Sequence, residues 1–572
     1  MLSPLSTRQT KLTGGVLAHR CRANIKRLFR RIDVEAMKAV YSETHGPWYA
    51  EPEFCGKYLD TAMQVYGTTG DEEIRRGAKG LVEAMLAGQR ADGYLGTYHP
   101  GQEFDSFSIW NHQFGMMGLL SYFEGTGEEA ALAGARRAGD YLVEAFLAAE
   151  APDLLEAVNQ GIEHSCLIRP TAHLYRATGE ARYLKLCEFV VRRWEESNLR
   201  LVSAPLRDEH PIFRIGCLKA AEMLICYQGL VELAEATGNA DYLRAAEGYW
   251  RAVDSQQIGI TGNGSVAEYW TMLGNRALTV SNDLHPNENC VAACWMKLSA
   301  RLLEMTGEAK YADAFERTLY NHLLGAQAVD GSDFSYYQAV EGHKIHATPA
   351  GAYSCCRYRG MNLLAHLPRY AVLQSGEGLT VNVYTDMTAD TDFGGVPVTL
   401  QQRTKYPREG RVEIAVRAVR PVSFALRLRI PAWCPGAQVT VNGSAWTGEV
   451  APGYVSISRE WRAEDRVTLE LELPVRTVEA VVEERPVRTF LYGPLVLAAD
   501  SRFGLPVEEA VLREGVELRP AGGRAEGPFP MVQFEAGSGT LVDWASAGSA
   551  APGRDRIRVW IPYREQGLGA RV

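Results

Sequence analysis

Two adjacent cysteines, Cys355 and Cys356, follow Gly351-Ala352-Tyr353-Ser354 and precede Arg357 and an apolar helical run from Met361 to Leu367. Separated from them by 64 residues, Asn287-Glu288-Asn289-Cys290 offers a carboxylate and a third thiol two positions apart. Three sulfurs and one carboxylate suit a tetrahedral zinc ion, Zn2+, with Glu288, Cys290, Cys355 and Cys356 as ligands, and the metal would keep the thiols deprotonated. A thiolate is also a nucleophile, so one of these sulfurs is expected to do chemistry. The spacing is not that of a zinc finger. Two plainer readings stand beside it: a vicinal disulfide, or three unrelated core and loop thiols. Cys294, on the helical face of Cys290, is a substitute ligand, although its run Val291–Trp295 is apolar.

Breaking a glycosidic bond takes a proton donor paired with a nucleophile or base. Glu268, in Ala267-Glu268-Tyr269-Trp270, has aromatic neighbours that would desolvate it and raise its pKa toward that of a general acid. Glu288 lies beside the proposed metal. Glu316 falls inside the helical run Phe315–Asn321, where an ordinary structural glutamate is the plainer reading. His112 after Trp110-Asn111, His164 after Glu163, His210 before Pro211, and Tyr336-Tyr337-Gln338 have the chemistry to bind hydroxyls or stack on a sugar. A lone histidine is more often structural. Several at the ends of separate helical hairpins suggest a shared cleft. Asp92-Gly93-Tyr94-Leu95 reads as a turn opening toward it.

These residues need a frame, and the sequence repeats weakly. Thr-Gly dipeptides recur at Thr69, Thr126, Thr178, Thr237 and Thr306, at intervals of 52 to 69 residues. Each follows an apolar helical pattern and precedes an acidic or amide residue and a second pattern. Glycine ends the first helix in the left-handed conformation, and the residue after it opens the next. Five hairpins, one long helix over Val16–Tyr41 and another over Cys356–Arg369 make twelve helices. This is the pattern of an (α/α)6 barrel over 15–372, with an open helical solenoid as the plainer reading.

From Gly378 the period changes to two. Strands are expected at Leu379–Tyr384, Val412–Val416, Phe424–Ile430, Gln438–Asn442 and Val467–Leu473, with a hairpin turn at Asn442-Gly443. The result is a multidomain α+β chain: the helical barrel, then an antiparallel β-sandwich over 373–474. Residues 475–572, with strands at Thr489–Ala498 and Arg556–Ile561, form a second sandwich or an extension. The segment 1–14 could add a strand, and 505–555 is glycine-rich with no period.

The chain has 572 residues, 46% of them hydrophobic, and a net charge of −9 without long runs of either sign. That argues against nucleic acid or an anionic membrane as partner. No apolar run is long enough to span a bilayer, and residues 1–20 lack the apolar stretch of a secretory signal, so the chain reads as cytoplasmic. Eleven cysteines in this length are not a disulfide scaffold, and Cys166, Cys187, Cys217 and Cys226 read as core.

From about Trp48 to Pro474 the sequence resembles the β-L-arabinofuranosidases of glycoside hydrolase family 127, also known as the DUF1680 group. The Glu-x-Cys and Cys-Cys elements carry the resemblance, with Gly-Pro-Trp-Tyr, Gly56-Lys57-Tyr58, Gln89–Tyr94 and Arg429-Ile430-Pro431-Ala432-Trp433. It implies a retaining exo-acting hydrolase with Cys355 as zinc-bound nucleophile and Glu268 as acid/base. It further implies sugar contacts from His112, His164, Glu316 and Tyr336, and an oligosaccharide or glycoside as partner. Three departures stand out. The spacing from Glu268 to Glu288 is longer than in the family. Leu218-Lys219 stands where the family has Gly-His, which would steer Lys219 toward an acidic sugar. The surroundings of His164 and of Arg357-Tyr358-Arg359 lack the usual prolines. Two alternatives follow: a metal-free toroid lyase or uronyl hydrolase, supported by Lys219, Arg214, Arg357 and Arg359, and a non-catalytic carbohydrate-binding protein with a structural zinc. The sequence leaves a homodimer open.

Overall fold

The computed structural model describes residues 1–207, 212–272, 285–345, 353–482, 484–503, 507, 512–513, 515–521, 530–537, 539–549 and 554–564. His210, Pro211, Gly351 and Ala352, which carried expectations above, lie outside them.

Two short helices, α1 (Gly15–Ala23) and α2 (Val34–Ala39), open the chain. Four hairpins follow: α3 (Glu51–Thr69) with α4 (Glu72–Gly88), α5 (Ser108–Thr126) with α6 (Glu129–Leu147), α7 and α8 (Val158–Ser165, Ile168–Thr178) with α9 (Ala181–Glu196), and α10 (Ala220–Thr237) with α11 (Ala240–Gln256). A fifth pairs α12 (Asn289–Thr306) with α13 (Ala309–Thr318), which runs through a π turn into α14 (Leu324–Ala326). The last α-helix among the described residues is α15 (Cys355–Ala371).

Helix α3 packs on α5, α5 on α8, α8 on α10, α10 on α12, α12 on α15, and α15 back on α3. These helices close an inner ring, so the chain is a toroid and not an open solenoid. Inner helices touch neighbours on two sides and an outer helix behind, which is why α5, α10 and α12 are buried almost all round.

The Thr-Gly turns are built alike. Each glycine takes φ between 66° and 74°, which a side chain would resist. Each threonine hydroxyl donates to the carbonyl four residues back and accepts from the N–H two residues on. Of the residues after glycine, Asp71 and Asn239 cap the next helix with their side chains, whereas Glu128, Glu180 and Glu308 do not.

The long helix expected over Val16–Tyr41 is broken. After α1 the chain makes a π turn over Asn24–Leu28 and a 3-10 turn, becomes extended at Ile32, and restarts at Asp33, whose carboxylate accepts from Ala36 N. Inside the break Asn24 is buried and donates to Met361 O of α15, 3.0 Å away.

After Ala371 the chain forms sheets. One orders Ser3–Pro4, Val372–Ser375, Gly378–Val381, Val422–Ile430 and Gly453–Trp461, and Gly378–Val381 runs parallel to Val422–Ile430 where antiparallel pairing was expected. The second joins Arg411–Ala418 and Asp465–Leu471 with five other strands and ends on Thr10–Leu12. The two share one apolar core with the toroid. A third sheet uses residues 475–564. The strand expected at Thr489–Ala498 is a hairpin, Arg485–Tyr492 and Leu495–Asp500, turned at Gly493 (φ 53°) and Pro494. The one at Arg556–Ile561 divides into Arg556–Arg558 and Ile561–Arg564. Within 505–555, Gln533–Ala536 pairs with Gly539–Asp543. This sheet is sewn to the toroid: Arg556–Arg558 pairs with Glu341–His343, and Asn321 bonds to Pro494 O and Val496 N. No helix among the described residues is long and apolar enough to cross a membrane.

Candidate active site and metal centre

The N-terminal ends of the inner helices converge, and the chemistry gathers there. Glu288 precedes the first residue of α12, Cys290 is its second, and Cys355 and Cys356 open α15. Ligand atoms of the four lie within 4.8 Å of one another. Cys356 Sγ is 3.4 Å from Cys290 Sγ and 3.6 Å from Glu288 Oε1. Asn289 locks the two helices together, taking Tyr336 O on its N–H and Cys356 O on its side chain, each at 2.9 Å. All eleven cysteines are free, so 355 and 356 form no disulfide. Cys166, Cys187, Cys217 and Cys226 are core residues as expected. Cys294 is buried outside the group of four.

The electrostatics of the set are those of a cation site. Burial pushes Glu288, Cys290 and Cys356 well up toward their protonated forms. Hydrogen bonds from Cys290 and Cys356 hold Cys355 well below the ordinary thiol range, against its burial and with help from Lys57. Protein groups alone thus sustain one anion among four potential ones, and it rests on Cys355, the only one of the four that is not fully buried. The donor set fits a metal ion, whose charge would allow the remaining ligands to ionise. The helix N-termini add their positive ends.

Tyr336 bridges this centre to Glu268. Its hydroxyl lies 3.4 Å from Cys355 Sγ and donates to Glu268 Oε1 at 2.6 Å. Tyr337 adds a longer bond at 3.2 Å to the same oxygen. The other oxygen, Oε2, takes Lys219 Nζ at 2.5 Å. Glu268 remains 26% exposed, enough to face a cleft. Its loop is strained, with Ser265, Ala267 and Glu268 all at positive φ, and docks on α10 through Ala220 N to Glu268 O and Trp270 N to Leu218 O.

Lys219 therefore has a partner within the protein. Burial opposes its charge, but Glu222 and Glu268 keep it protonated. Of the arginines offered for an acidic sugar, Arg357 makes two bonds to Asp333 and Arg359 is buried against Phe114, whereas Arg214 is exposed.

His164 is placed as a ligand-binding group would be: it is buried, bonds the Ser106 main chain, and leaves Nε2 without a partner among the described residues. His112 is not so placed. Its Nδ1 accepts from Leu95 N and its Nε2 faces Ala138 O at 2.9 Å, so both ring nitrogens are committed to the main chain. Glu316 takes Arg429, Tyr406 and Trp433, a junction between α13 and the first sheet. The sequence offered a glutamate on a helix, and helical position could not say which face meets the β-domain.

Two carboxylates escaped the sequence reading. Glu163 is buried, accepts from Asn159 on one oxygen and leaves the other unpartnered among the described residues. Glu222, third in α10, also has an unpartnered buried oxygen. Asn159 belongs to a left-handed run, Asn159-Gln160-Gly161, and takes Tyr269 OH at 2.9 Å. The signal was available: Glu222 is a lone charge inside Ala220–Tyr227. Burial lifts Glu222 from 4.5 to about 7, Lys219 opposes the shift and Glu163 adds to it. Its folded pKa exceeds the unfolded one, so the folded chain holds the extra proton and stability falls as pH rises from 4.5 to about 7. Glu222→Gln is expected to raise Tm more at pH 8 than at pH 5, by an energy of about 1–3 kcal/mol. An equal shift at both pH values would contradict this.

Comparison with known proteins agrees with this geometry. The family model described as "Beta-L-arabinofuranosidase, GH127 catalytic domain" matches residues 11–369, and that of the GH127 middle domain matches 378–473. The non-reducing end beta-L-arabinofuranosidase of Bifidobacterium longum subsp. longum is 24% identical over 513 residues, covering 80% of this chain and 76% of that one. The structure of a GH127 beta-L-arabinofuranosidase from Geobacillus stearothermophilus T6 superposes with a TM-score of 0.78 at 21% identity, over 97% of this chain and all of that one (100%). A second GH127 beta-arabinofuranosidase gives 0.81 at 20% identity and 98% of both chains. Neither a metal-free lyase or uronyl hydrolase nor a non-catalytic binding protein is favoured by these matches. With the catalytic and middle domain models matched in order along most of its length, this chain belongs to glycoside hydrolase family 127 and is a glycoside hydrolase.

Proposed function

We propose that this enzyme releases a terminal β-L-arabinofuranose from the non-reducing end of a glycoside, with retention of configuration and with Zn2+ as the metal. The observation that carries the reading is the single tyrosine hydroxyl spanning Cys355 Sγ and Glu268 Oε1. Its legs of 3.4 and 2.6 Å hold the two groups within about 6 Å of each other, and retaining glycosidases keep theirs roughly 5 Å apart. Zinc bound by Glu288, Cys290, Cys355 and Cys356 would keep the sulfurs as thiolates at neutral pH and ease the departure of sulfur from carbon.

The Cys355 thiolate attacks the anomeric carbon, forming a C–S bond as the glycosidic C–O bond breaks. The proton on Glu268 passes to the leaving oxygen. Glu268, now anionic, takes a proton from water, whose oxygen bonds to the anomeric carbon and expels the thiolate. Tyr336 holds both groups in register, and Lys219 holds the second oxygen of Glu268. His164, Glu163 and Glu222 offer unpartnered polar atoms to sugar hydroxyls. Glu163, Glu222, Glu268 and Glu288 gather around the single cation of Lys219, which disfavours an acidic sugar.

The test is hydrolysis of nitrophenyl β-L-arabinofuranoside by protein of measured zinc content, with product configuration followed by NMR. Turnover with retention and one zinc per chain is expected, and zinc-loaded protein that fails to turn over would refute the substrate. Glu268→Gln should lower kcat/KM by about 10²–10⁴ for a glycoside with a poor leaving group. The loss should be smaller for the nitrophenyl glycoside, whose leaving oxygen needs little protonation. Equal losses on both would remove Glu268 from the acid role.

A further inference from the structure

Of the eleven tryptophans, Trp48 alone is exposed, at 63%. It also holds φ at 73°, a conformation costly for a bulky residue. The surrounding loop enforces it. His45 N donates to Thr97 O and accepts His99 N on its own carbonyl, the Tyr49 ring stacks on His45 at 3.7 Å, and Asn111 Nδ2 donates to Tyr49 O at 2.7 Å.

Its position connects to the site. The indole meets Phe107 edge to face at 5.5 Å, and Ser106, next to Phe107, is the main-chain partner of His164. Tyr353, two residues before Cys355, stacks on Phe54 in the first turn of α3, the helix that Trp48 leads into. The other large apolar side chains exposed around this face, Phe213, Tyr269, Met272 and Ile345, ride on the loops that enter α10, α12 and α15. The described parts of these loops thus carry both the polar groups of the site and separate exposed apolar side chains.

We propose that Trp48 is the stacking platform for the leaving-group side of the substrate, its indole face lying against the ring of the sugar that departs. The inference rests on the function proposed above. A sugar ring offers an apolar C–H face to an aromatic plane, and an exo-acting enzyme encloses one sugar while the rest of the glycan stays at the solvent edge. The unpartnered polar atoms of His164, Glu163 and Glu222 are buried, as suits the enclosed sugar. Trp48 stands at the rim, and a discontinuous rim suits ring stacking better than a protein interface.

Trp48→Gly removes the ring and relaxes the left-handed backbone. Its Tm is expected to equal or exceed that of the wild type. Its kcat/KM on a β-L-arabinofuranosyl disaccharide should fall about tenfold further than on methyl β-L-arabinofuranoside, chiefly through KM. Trp48→Phe should recover most of the difference. In Cys355→Ser protein, the disaccharide should shield the exposed indole from acrylamide quenching, and L-arabinose should not. Equal losses on the two substrates, or a glycine variant that keeps full disaccharide affinity, would overturn the inference while leaving the proposed function intact. A wild type that hydrolyses neither substrate would overturn both.

Discussion

Cys355→Ser is expected to lose activity by about 10⁴-fold or more while keeping its fold and its metal. The hydroxyl is nearly the size of the thiol, but its much higher intrinsic pKa keeps it protonated at neutral pH, whereas the same neighbours hold Cys355 well below the ordinary thiol range. Glu288, Cys290 and Cys356 remain to hold the ion. Cys356→Ser makes the contrast. Cys356 is fully buried, in contact with Cys290 and Glu288, and its loss should cost metal and activity together. Metal content by atomic spectroscopy and turnover, measured on both variants, separate nucleophile from ligand. A Cys355→Ser protein that retains a tenth of wild-type activity would end the nucleophile assignment, and one that loses its metal would leave it unsupported.

Arg429→Leu is expected to destabilise the protein by about 3–5 kcal/mol without touching the catalytic groups. Arg429 is wholly inaccessible to solvent. Its guanidinium bonds Asp313 at 2.5 Å, both oxygens of Glu316, and Asn382 O at 2.9 Å. Tyr406 and Trp433 complete the coordination of Glu316, and Ala432 N reaches Asp313. Removing the cation strands two carboxylates between α13 and the first sheet. The cost should therefore be partly recovered in Arg429→Leu/Glu316→Gln/Asp313→Asn, where no buried charge is left over. Urea unfolding of the three proteins decides it. A single variant within about 1 kcal/mol of wild type would show that the junction is wet or plastic.

Much of this architecture could be read from residue order. The Thr-Gly pairs located the hairpins because one chemical device, glycine in the left-handed region beside a doubly bonded threonine, serves every turn. The cysteine pair with Glu-x-Cys located the metal centre because few other uses explain those residues together. What could not be read depended on direction. Lys219 was taken for a reader of substrate charge, but it faces Glu268 across a loop whose docking only the fold reveals. His112 looked available until its nitrogens met Leu95 and Ala138. Glu316 and Arg429 are 113 residues apart, and sequence periodicity carries no information about such a pairing. The break at Ile32-Asp33 was hidden because Asp33 resembles any polar surface residue of a helix until its carboxylate is seen to cap Ala36.

The closure of the inner ring also has a biosynthetic meaning. α15 is sealed against the start of the chain: Asn24 donates to Met361 O, and Cys21 Sγ approaches Leu364 O at 3.3 Å. A ribosome therefore releases five of the six inner helices before the sixth exists, and the nascent toroid has a gap where α15 belongs. Cys355 and Cys356 sit at the leading edge of the segment that fills the gap, so their two partners, Glu288 and Cys290, cannot be joined to them by metal until the ring shuts. Assembly of the nucleophile is then a direct report that α15 has been made and has docked. A chain stalled short of α15 exposes apolar ring surface to chaperones, yet it holds no assembled nucleophile with which to act on a glycoside.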